Sequence, residues 1–266
     1  MKIREIIGAL EQFAPLSLQD SYDNAGLQIG LTEDADVSGA LLSLDVTEHV
    51  IAEAVRLGCN LVVSHHPLLF RPMKRITADD SNGRIVLMAI KYGIAVYSAH
   101  TNLDNAYDGV SYEMGRRLGL MEMKTLSPSA AARHGKDDGA GVIGCLPAPM
   151  TSDNFLKLVK DTFSVGGLRH NVQSDAHRMV SRVALCGGAG AFLIPEAIAN
   201  GADAFVTGEI GYHRFFGYED SVLLAETGHF ESERFTVDLL ESLVRKVVAD
   251  TVPLYTYKVS DPTRVL

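Results

Sequence analysis

The 266-residue chain is 47% hydrophobic and carries a formal net charge of −9. That length suits one large domain or two modest ones with a sizeable core. No run of 18 apolar residues appears, so no membrane span is expected, and the acidic balance argues against a general nucleic-acid binder. Cys59, Cys145 and Cys186 are far apart and form no CxxC pair. This usage suits a reducing compartment and excludes a Cys-rich zinc ribbon. Met1-Lys2-Ile3-Arg4-Glu5 enters an amphipathic pattern directly, without the apolar core of a secretory signal, so a cytoplasmic protein is expected.

Strands and helices alternate along the chain. Ile3, Ile6, Ile7, Leu10 and Phe13 make a helical stripe over residues 3–13. Residues 40–46 read as a buried strand. Residues 48–57 read as a helix that Gly58 closes, and 61–64 as a short buried strand. A helix over 82–92, with Gly93 after it, leads to a strand over 94–99. Residues 107–118 form the next helix, ended by Gly119. Residues 126–141, rich in Ser, Ala, Gly and charge, read as an exposed connection between two lobes. A second series follows, with strands over 142–146, 168–172, 182–186, 204–207 and 222–225 and helices over 152–163, 194–199 and 232–248. A last strand is expected over 254–257. The alternation predicts βαβ units, hence an α/β fold of two similar lobes with mixed, largely parallel sheets. The expected division is residues 1–125 with 220–266 as a metal-binding lobe and 126–219 as a second lobe.

Three segments at the carboxyl ends of strands carry metal-ligand chemistry, where ligands sit in open α/β sheets. Ser64-His65-His66-Pro67 follows the strand 61–64. Pro67 biases His66 towards an extended conformation, so the chain leaves the sheet and both rings can reach one site. One buried and one exposed histidine without a ligand role is the plainer alternative. His100-Thr101-Asn102-Leu103-Asp104 follows the strand 94–99. Asp104 offers a hard oxygen and His100 a supporting group or proton shuttle, against the plainer role of Asp104 as a helix cap. Glu226-Thr227-Gly228-His229-Phe230-Glu231-Ser232-Glu233 opens the last helix. His229 and Glu233, four apart, share a helix face. Acids at a helix N-terminus account for Glu231 and Glu233 but not for His229.

Together these segments supply three imidazoles and two carboxylates, a set suited to two divalent ions of Zn, Mn, Fe or Co rather than Ca. Thr207-Gly208-Glu209-Ile210-Gly211-Tyr212-His213 also follows a strand, and Glu209 or His213 could move protons or orient substrate. Cys186-Gly187-Gly188-Ala189-Gly190 is either a tight turn or a weak phosphate cradle, since it lacks a Walker lysine and a full GxGxxG.

These segments, with Asp23-Asn24-Ala25-Gly26-Leu27, resemble in order the NIF-three-like dinuclear-metal-centre family, often labelled GTP cyclohydrolase 1 type 2 homologs. The resemblance spans essentially the whole chain. It implies metal ligands at His65, His66, Asp104, His229 and Glu233, with Glu233 bridging two ions. It also implies a ring-shaped homohexamer. Tyr22 stands where the family often has Trp, Glu209 where Asp is common, and Glu226-Thr227 where Asp-Ala is usual. The family's optional inserted domain has no counterpart in the short 126–141 segment.

The expected function is a metal-dependent hydrolase acting on a nucleotide such as GTP, with Glu209, His100 and His213 as catalytic candidates. The alternative is a non-catalytic metal-binding or regulatory ring that docks a protein partner. A nucleic-acid clamp using Arg71, Lys74 and Arg75 is opposed by the overall charge of −9.

Overall fold

A computed structural model of the protein describes residues 1–30, 34–172, 178–249, 251–258 and 260–264. The chain forms two compact units, Met1–Leu103 with Phe235–Ser260, and Asp104–Arg234 with Asp261–Leu266. Each is built on one mixed sheet, of five and of six strands among the described residues, so the α/β class with two mixed sheets holds. Among the described residues no helix is long and apolar enough to cross a membrane.

In the first unit the strands run in the order Gly26–Ile29, Ala95–Ser98, Leu61–Ser64, Ala40–Ser43, Leu254–Thr256. The edge strand Gly26–Ile29 is antiparallel to its neighbour, and every other pairing is parallel. The three central strands, Ala-Leu-Leu-Ser, Leu-Val-Val-Ser and Ala-Val-Tyr-Ser, are buried along their whole length. Unbroken apolar runs of this kind are what a parallel sheet covered on both faces requires. Leu41, Val62 and Val96 pack with Val50, Ile51 and Ala54 of the helix Glu48–Leu57, and with Ile85, Val86 and Ala89 of the helix Ser81–Lys91. Thr47 caps the first of these helices by accepting from the Val50 amide, and Gly58 ends it in the left-handed conformation. Ser43 pairs with Ser64, and Ser64 with Ser98, so the three carboxyl ends are level.

The second sheet runs Met121–Pro128, Gly139–Thr151, Met179–Cys186, Ala204–Thr207, Leu223–Glu226, Arg169–His170. The middle three of its strand ends are level in the same way, because Cys186 and Glu226 both pair with Thr207 in parallel register. The outer pairings are antiparallel. Phe205, Leu224, Ala184 and Ile143 form its core with Leu193, Ile194 and Ala197, the last two from the helix Ile194–Ala199.

Residues 126–141 are exposed at 130–132 and 134–136, as their composition suggests, but they form a hairpin inside the second unit rather than a connection between lobes. Residues 126–128 and 139–141 are paired strand, in the register Ser127 to Ala140 and Pro128 to Gly139, and Leu126 is buried. The glycine that reads as loop punctuation serves close strand approach. A Cβ on Gly139, whose φ is +154°, would lie 2.2 Å from the Ser127 carbonyl oxygen.

The turn between these strands folds inward onto Asp138, which is fully buried. Its carboxylate accepts from the Tyr107 amide at 2.7 Å, the Arg133 amide at 2.9 Å, and Arg133 Nε and Nη2 at 2.8 and 2.5 Å. Burial alone would raise its pKa. The Arg133 bonds and the two amides outweigh that and hold it down from 3.8 to about 2.

A group with a depressed folded pKa stabilises above its unfolded pKa and loses that contribution as pH falls through the folded one. Asp138→Asn is expected to destabilise the protein by about 2–3 kcal/mol at neutral pH, the scale of hydrogen bonds to a charged group. It should also remove part of the stability loss that the parent shows between pH 3.8 and about 2. Urea unfolding followed across that range checks both; equal stability at pH 7 would refute the assignment.

Candidate metal centre

Asp45, His65, His66 and His100 follow the level strand ends of the first unit, and Asp23 precedes the antiparallel edge strand, whose Gly26 pairs with Ser98. His65 directly follows Ser64, and its ring is buried. Its Nδ1 lies 2.8 Å from the Ala99 carbonyl oxygen. A carbonyl only accepts, so Nδ1 carries the proton and Nε2 holds the lone pair. His66 Nδ1 lies 2.8 Å from Asp45 Oδ1, and His100 Nδ1 lies 2.7 Å from Asp23 Oδ1. Each of the three imidazoles therefore has an oxygen behind it, the arrangement that fixes and strengthens metal-binding histidines. One ring nitrogen from each of His65, His66 and His100 falls in a group whose members lie within 4.8 Å of one another.

Asp23 is the best-held of these acids. Burial raises its pKa, but bonds from His100, from the Thr101 amide (3.0 Å) and hydroxyl (2.5 Å), and from the Asn24 amide bring it down to about 2. Asn102 closes the turn around it: its Oδ1 accepts from the His100 amide at 2.9 Å, and its Nδ2 donates to the Ala14 carbonyl at 2.7 Å.

In the second unit the ligand-type groups are mainly carboxylates. Asp104 ends the short helix Thr101–Asp104, which opens directly after His100. Carboxylate oxygens of Asp104 and Glu233 approach within 4.8 Å. His229 and Glu233 open and close the helix His229–Glu233, with His229 Nε2 2.9 Å from Glu233 Oε2. His229 Nδ1 lies 2.8 Å from Glu209 Oε1. Glu209 is itself positioned, because its amide donates to the Gly188 carbonyl at 2.9 Å. Glu226 lies beneath this loop, accepting from the Ile210 amide and from Arg169. Burial pushes its carboxyl up, against the pull of Arg169.

The Cys186–Gly190 loop is a tight turn that walls in Glu233. The Gly188 and Gly190 amides are spent on the Ser232 and Thr207 hydroxyls, each at 3.0 Å, which removes them from any phosphate. Gly188 has φ +58°, and a Cβ there would lie 2.3 Å from Glu233 Oε1.

The structure thus groups His65, His66 and His100 in one unit, and Asp104, His229, Glu233 and Glu209 in the other. His213 is exposed on the turn Tyr212–Phe215 with its ring against Tyr212. Sequence reasoning overlooked Asp45, and noticed Asp23 only through its motif. Asp45 had a usable signal, since it lies two residues past a strand end level with that of His65. The expected single helix over 232–248 is two helices, His229–Glu233 and Thr236–Val248. Arg234 and Phe235 between them keep helical backbone angles, so neither Gly nor Pro marks the break.

A sequence profile of the Duf34/NIF3 (NGG1p interacting factor 3) family matches residues 1–262. The chain belongs to the Duf34/NIF3 family. It is 32% identical over 267 residues to a Clostridium acetobutylicum protein named GTP cyclohydrolase 1 type 2 homolog, covering 98% of each chain. A Streptococcus pneumoniae protein of the same name is 35% identical over 233 residues, covering 86% of this chain and 85% of that one. Among solved structures, Staphylococcus aureus hypothetical protein SA1388 superposes with a TM-score of 0.90 at 25% identity, over 100% of this chain and 99% of that one. A Bacillus cereus protein related to NIF3 gives a TM-score of 0.89 at 25% identity, with the same coverage. For this NIF3-family chain the donor set fits a metal. Oriented imidazoles and clustered carboxylates are the mixed nitrogen and oxygen donors of first-row divalent ions.

Gly188→Ala is expected to displace the Glu233 carboxylate and weaken divalent-metal binding roughly tenfold or more, the scale seen when groups behind a metal ligand are lost. Gly201→Ala is the control, because Gly201 has φ +71° and nothing within 4 Å of an added Cβ. It carries the backbone strain without the clash. Calorimetric metal titration of both variants checks this; equal affinities would remove the steric argument.

Proposed function

We propose that this chain is a metal-dependent hydrolase that holds two divalent ions through His65, His66, Asp104, His229 and Glu233 and acts on a nucleotide such as GTP. One observation carries the metal reading: His65 and His66 each have Nδ1 engaged by an oxygen acceptor, which turns Nε2 to the opposite side, while His229 is held between Glu209 at Nδ1 and Glu233 at Nε2. The names of its relatives supply the nucleotide. Divalent ions bound there would lower the pKa of water from 15.7 towards about 7 and polarise the bond to be cleaved.

The chain's own groups have distinct tasks in this reading. Asp45 and the Ala99 carbonyl set the tautomer and direction of the His66 and His65 rings, and Glu209 sets the direction of His229. Glu233, buried against the glycine loop, offers both carboxylate oxygens and suits a bridging role. His100, backed by Asp23, is placed to hold or pass a proton beside the His65 and His66 rings, whose centroids lie 5.3 and 5.5 Å from its own. Glu209 and His213 remain candidates for moving protons or orienting substrate. Zn, Mn, Fe and Co all suit these donors. A homohexamer in the cytoplasm completes the proposal.

A specific observation favours a second reading. Two of the three candidate proton carriers, His100 and Glu209, are already committed to close carboxylate–imidazole pairs. Groups so held suit a site that binds metal for regulation, with a protein partner reading its occupancy.

Elemental analysis of the purified protein is expected to give two ions per chain, reduced in His66→Ala and Asp104→Ala. The parent, loaded with Mn or Zn, should release formate from GTP above the level of those variants. Metal retention without turnover of any nucleotide or phosphoester would establish the second reading. Metal-free protein that takes up none of these ions would end both.

A further inference from the structure

Beside the three-histidine cluster the first unit presents two large aromatic side chains to solvent. Tyr22 is 63% and Phe70 42% exposed. Their rings meet edge to face with centroids 6.4 Å apart, and Phe70 stands edge to face on His100 at 6.0 Å and 88°. Exposed aromatics at a strand-tip site cost solvation and are a common mark of ligand contact.

These rings are held in place. Leu68 is buried, and Leu69 and Met73 pack on the same core, so the segment is pinned from beneath while Phe70 faces out. Asn24 Nδ2 donates to the Leu69 carbonyl at 2.8 Å, and the Leu69 amide donates to Gln28 Oε1 at 3.1 Å. Gln28 Nε2 in turn donates to the Asn24 carbonyl at 2.6 Å. Tyr22 is fixed at its far end, where its hydroxyl donates to Asp20 Oδ2 at 2.9 Å. Two side chains, Asn24 and Gln28, thus clamp one solvent-facing segment at Leu69.

The same segment is basic. Phe70-Arg71-Pro72-Met73-Lys74-Arg75-Ile76 carries three cations and no acid in a chain of net charge −9. Arg71, Lys74 and Arg75 are exposed, and none forms an ion pair among the described residues. Like charges so close in sequence repel one another, and a polyanion relieves that repulsion. The field of the rest of the chain repels phosphates, so a local positive patch is what an anionic ligand needs to approach. Held aromatic faces joined to unspent cations are the pairing that recognises a base and its phosphates.

We propose that Tyr22 and residues 70–75 form the recognition platform for a nucleoside triphosphate, with Phe70 and Tyr22 contacting the base and Arg71, Lys74 and Arg75 taking the phosphates. This rests on the nucleotide-hydrolase reading and adds to it the residues that select the substrate. Phe70 contacts His100 and the three cations follow it directly, so a base held on these rings lies next to the His65, His66 and His100 cluster.

The test uses metal-loaded full-length protein and four probes: GTP, guanosine, inorganic tripolyphosphate and a single-stranded 20-mer. Phe70→Ala is expected to weaken GTP and guanosine about tenfold or more, the range of base–aromatic stacking, and to leave tripolyphosphate unchanged. Phe70→Leu keeps the apolar volume and should show the same pattern, which separates stacking from misfolding. Exchange of Arg71, Lys74 and Arg75 for Gln is expected to weaken GTP and tripolyphosphate, to leave guanosine alone, and to flatten the salt dependence. Metal content should stay at the parent level in all variants. If the parent binds GTP and every variant binds it equally, the platform is refuted while hydrolysis stands. If the parent turns nothing over but the variants lose GTP binding as described, the platform stands and the hydrolase reading falls. Tighter binding of the 20-mer than of GTP to the parent would overturn the mononucleotide assignment.

Discussion

The register of the parallel strands is the constraint on which the other features depend. Ser43, Ser64 and Ser98 are neighbours across three strands, as are Cys186, Thr207 and Glu226 in the other unit. A strand advances about 3.3 Å per residue, so a slip of one residue would move a tip by that distance and turn its side chains to the other face. Ser64 Oγ and Ser98 Oγ, 2.8 Å apart, tie two of the tips directly. The apolar strand interiors resist slippage, since the three central strands of the first unit and Ala204–Thr207 of the second bury every residue. Core packing and site geometry are therefore one property here: the residues that exclude water from the sheet also place the imidazoles.

Level tips deliver rings to a place but leave their rotation open. Rotation is set by the oxygen behind each ring, Ala99 for His65, Asp45 for His66, Asp23 for His100 and Glu209 for His229. Three of the four acceptors are carboxylates. A carboxylate facing Nδ1–H raises the electron density at Nε2, which makes the ring a better donor to a cation. It also costs something: acids gathered around a centre repel one another, and Asp23 stays ionised while buried only because four hydrogen bonds hold it. The second unit solves a different problem. Its carboxylate Glu233 is confined sterically, by a glycine turn whose amides are already satisfied.

Much of this was legible in the sequence, and what was not has physical causes. The helix Glu48–Leu57 announces itself by its stripe and by Gly58, and the tips by polar residues that follow short apolar runs. Gly26–Ile29 escaped because a four-residue edge strand, Gly-Leu-Gln-Ile, has too few alternations to read. The hairpin around Gly139 escaped because a glycine that permits close strand contact has the same letter as one that ends an element. The break at Arg234 and Phe235 has no sequence mark at all. The ligand-type residues were found by chemistry and spacing; Asp23 and Asp45 were not, since a second carboxylate 77 or 21 residues away in sequence is tied to its histidine only by the fold.

Charge explains why recognition and catalysis would need different parts of the first unit. In the first unit the carboxylates of Asp23 and Asp45 stand behind the His100 and His66 rings, in a chain of net charge −9. Surroundings of that sign have no surplus with which to draw in an anion from solution. The cations of residues 71–75 supply that surplus outside the carboxylate shell, on a segment clamped by Asn24 and Gln28 next to Asp23 in the chain. The short stretch from Tyr22 to Gln28 therefore serves both tasks: Asp23 steadies an imidazole of the cluster, and its neighbours steady the loop that carries the positive charge.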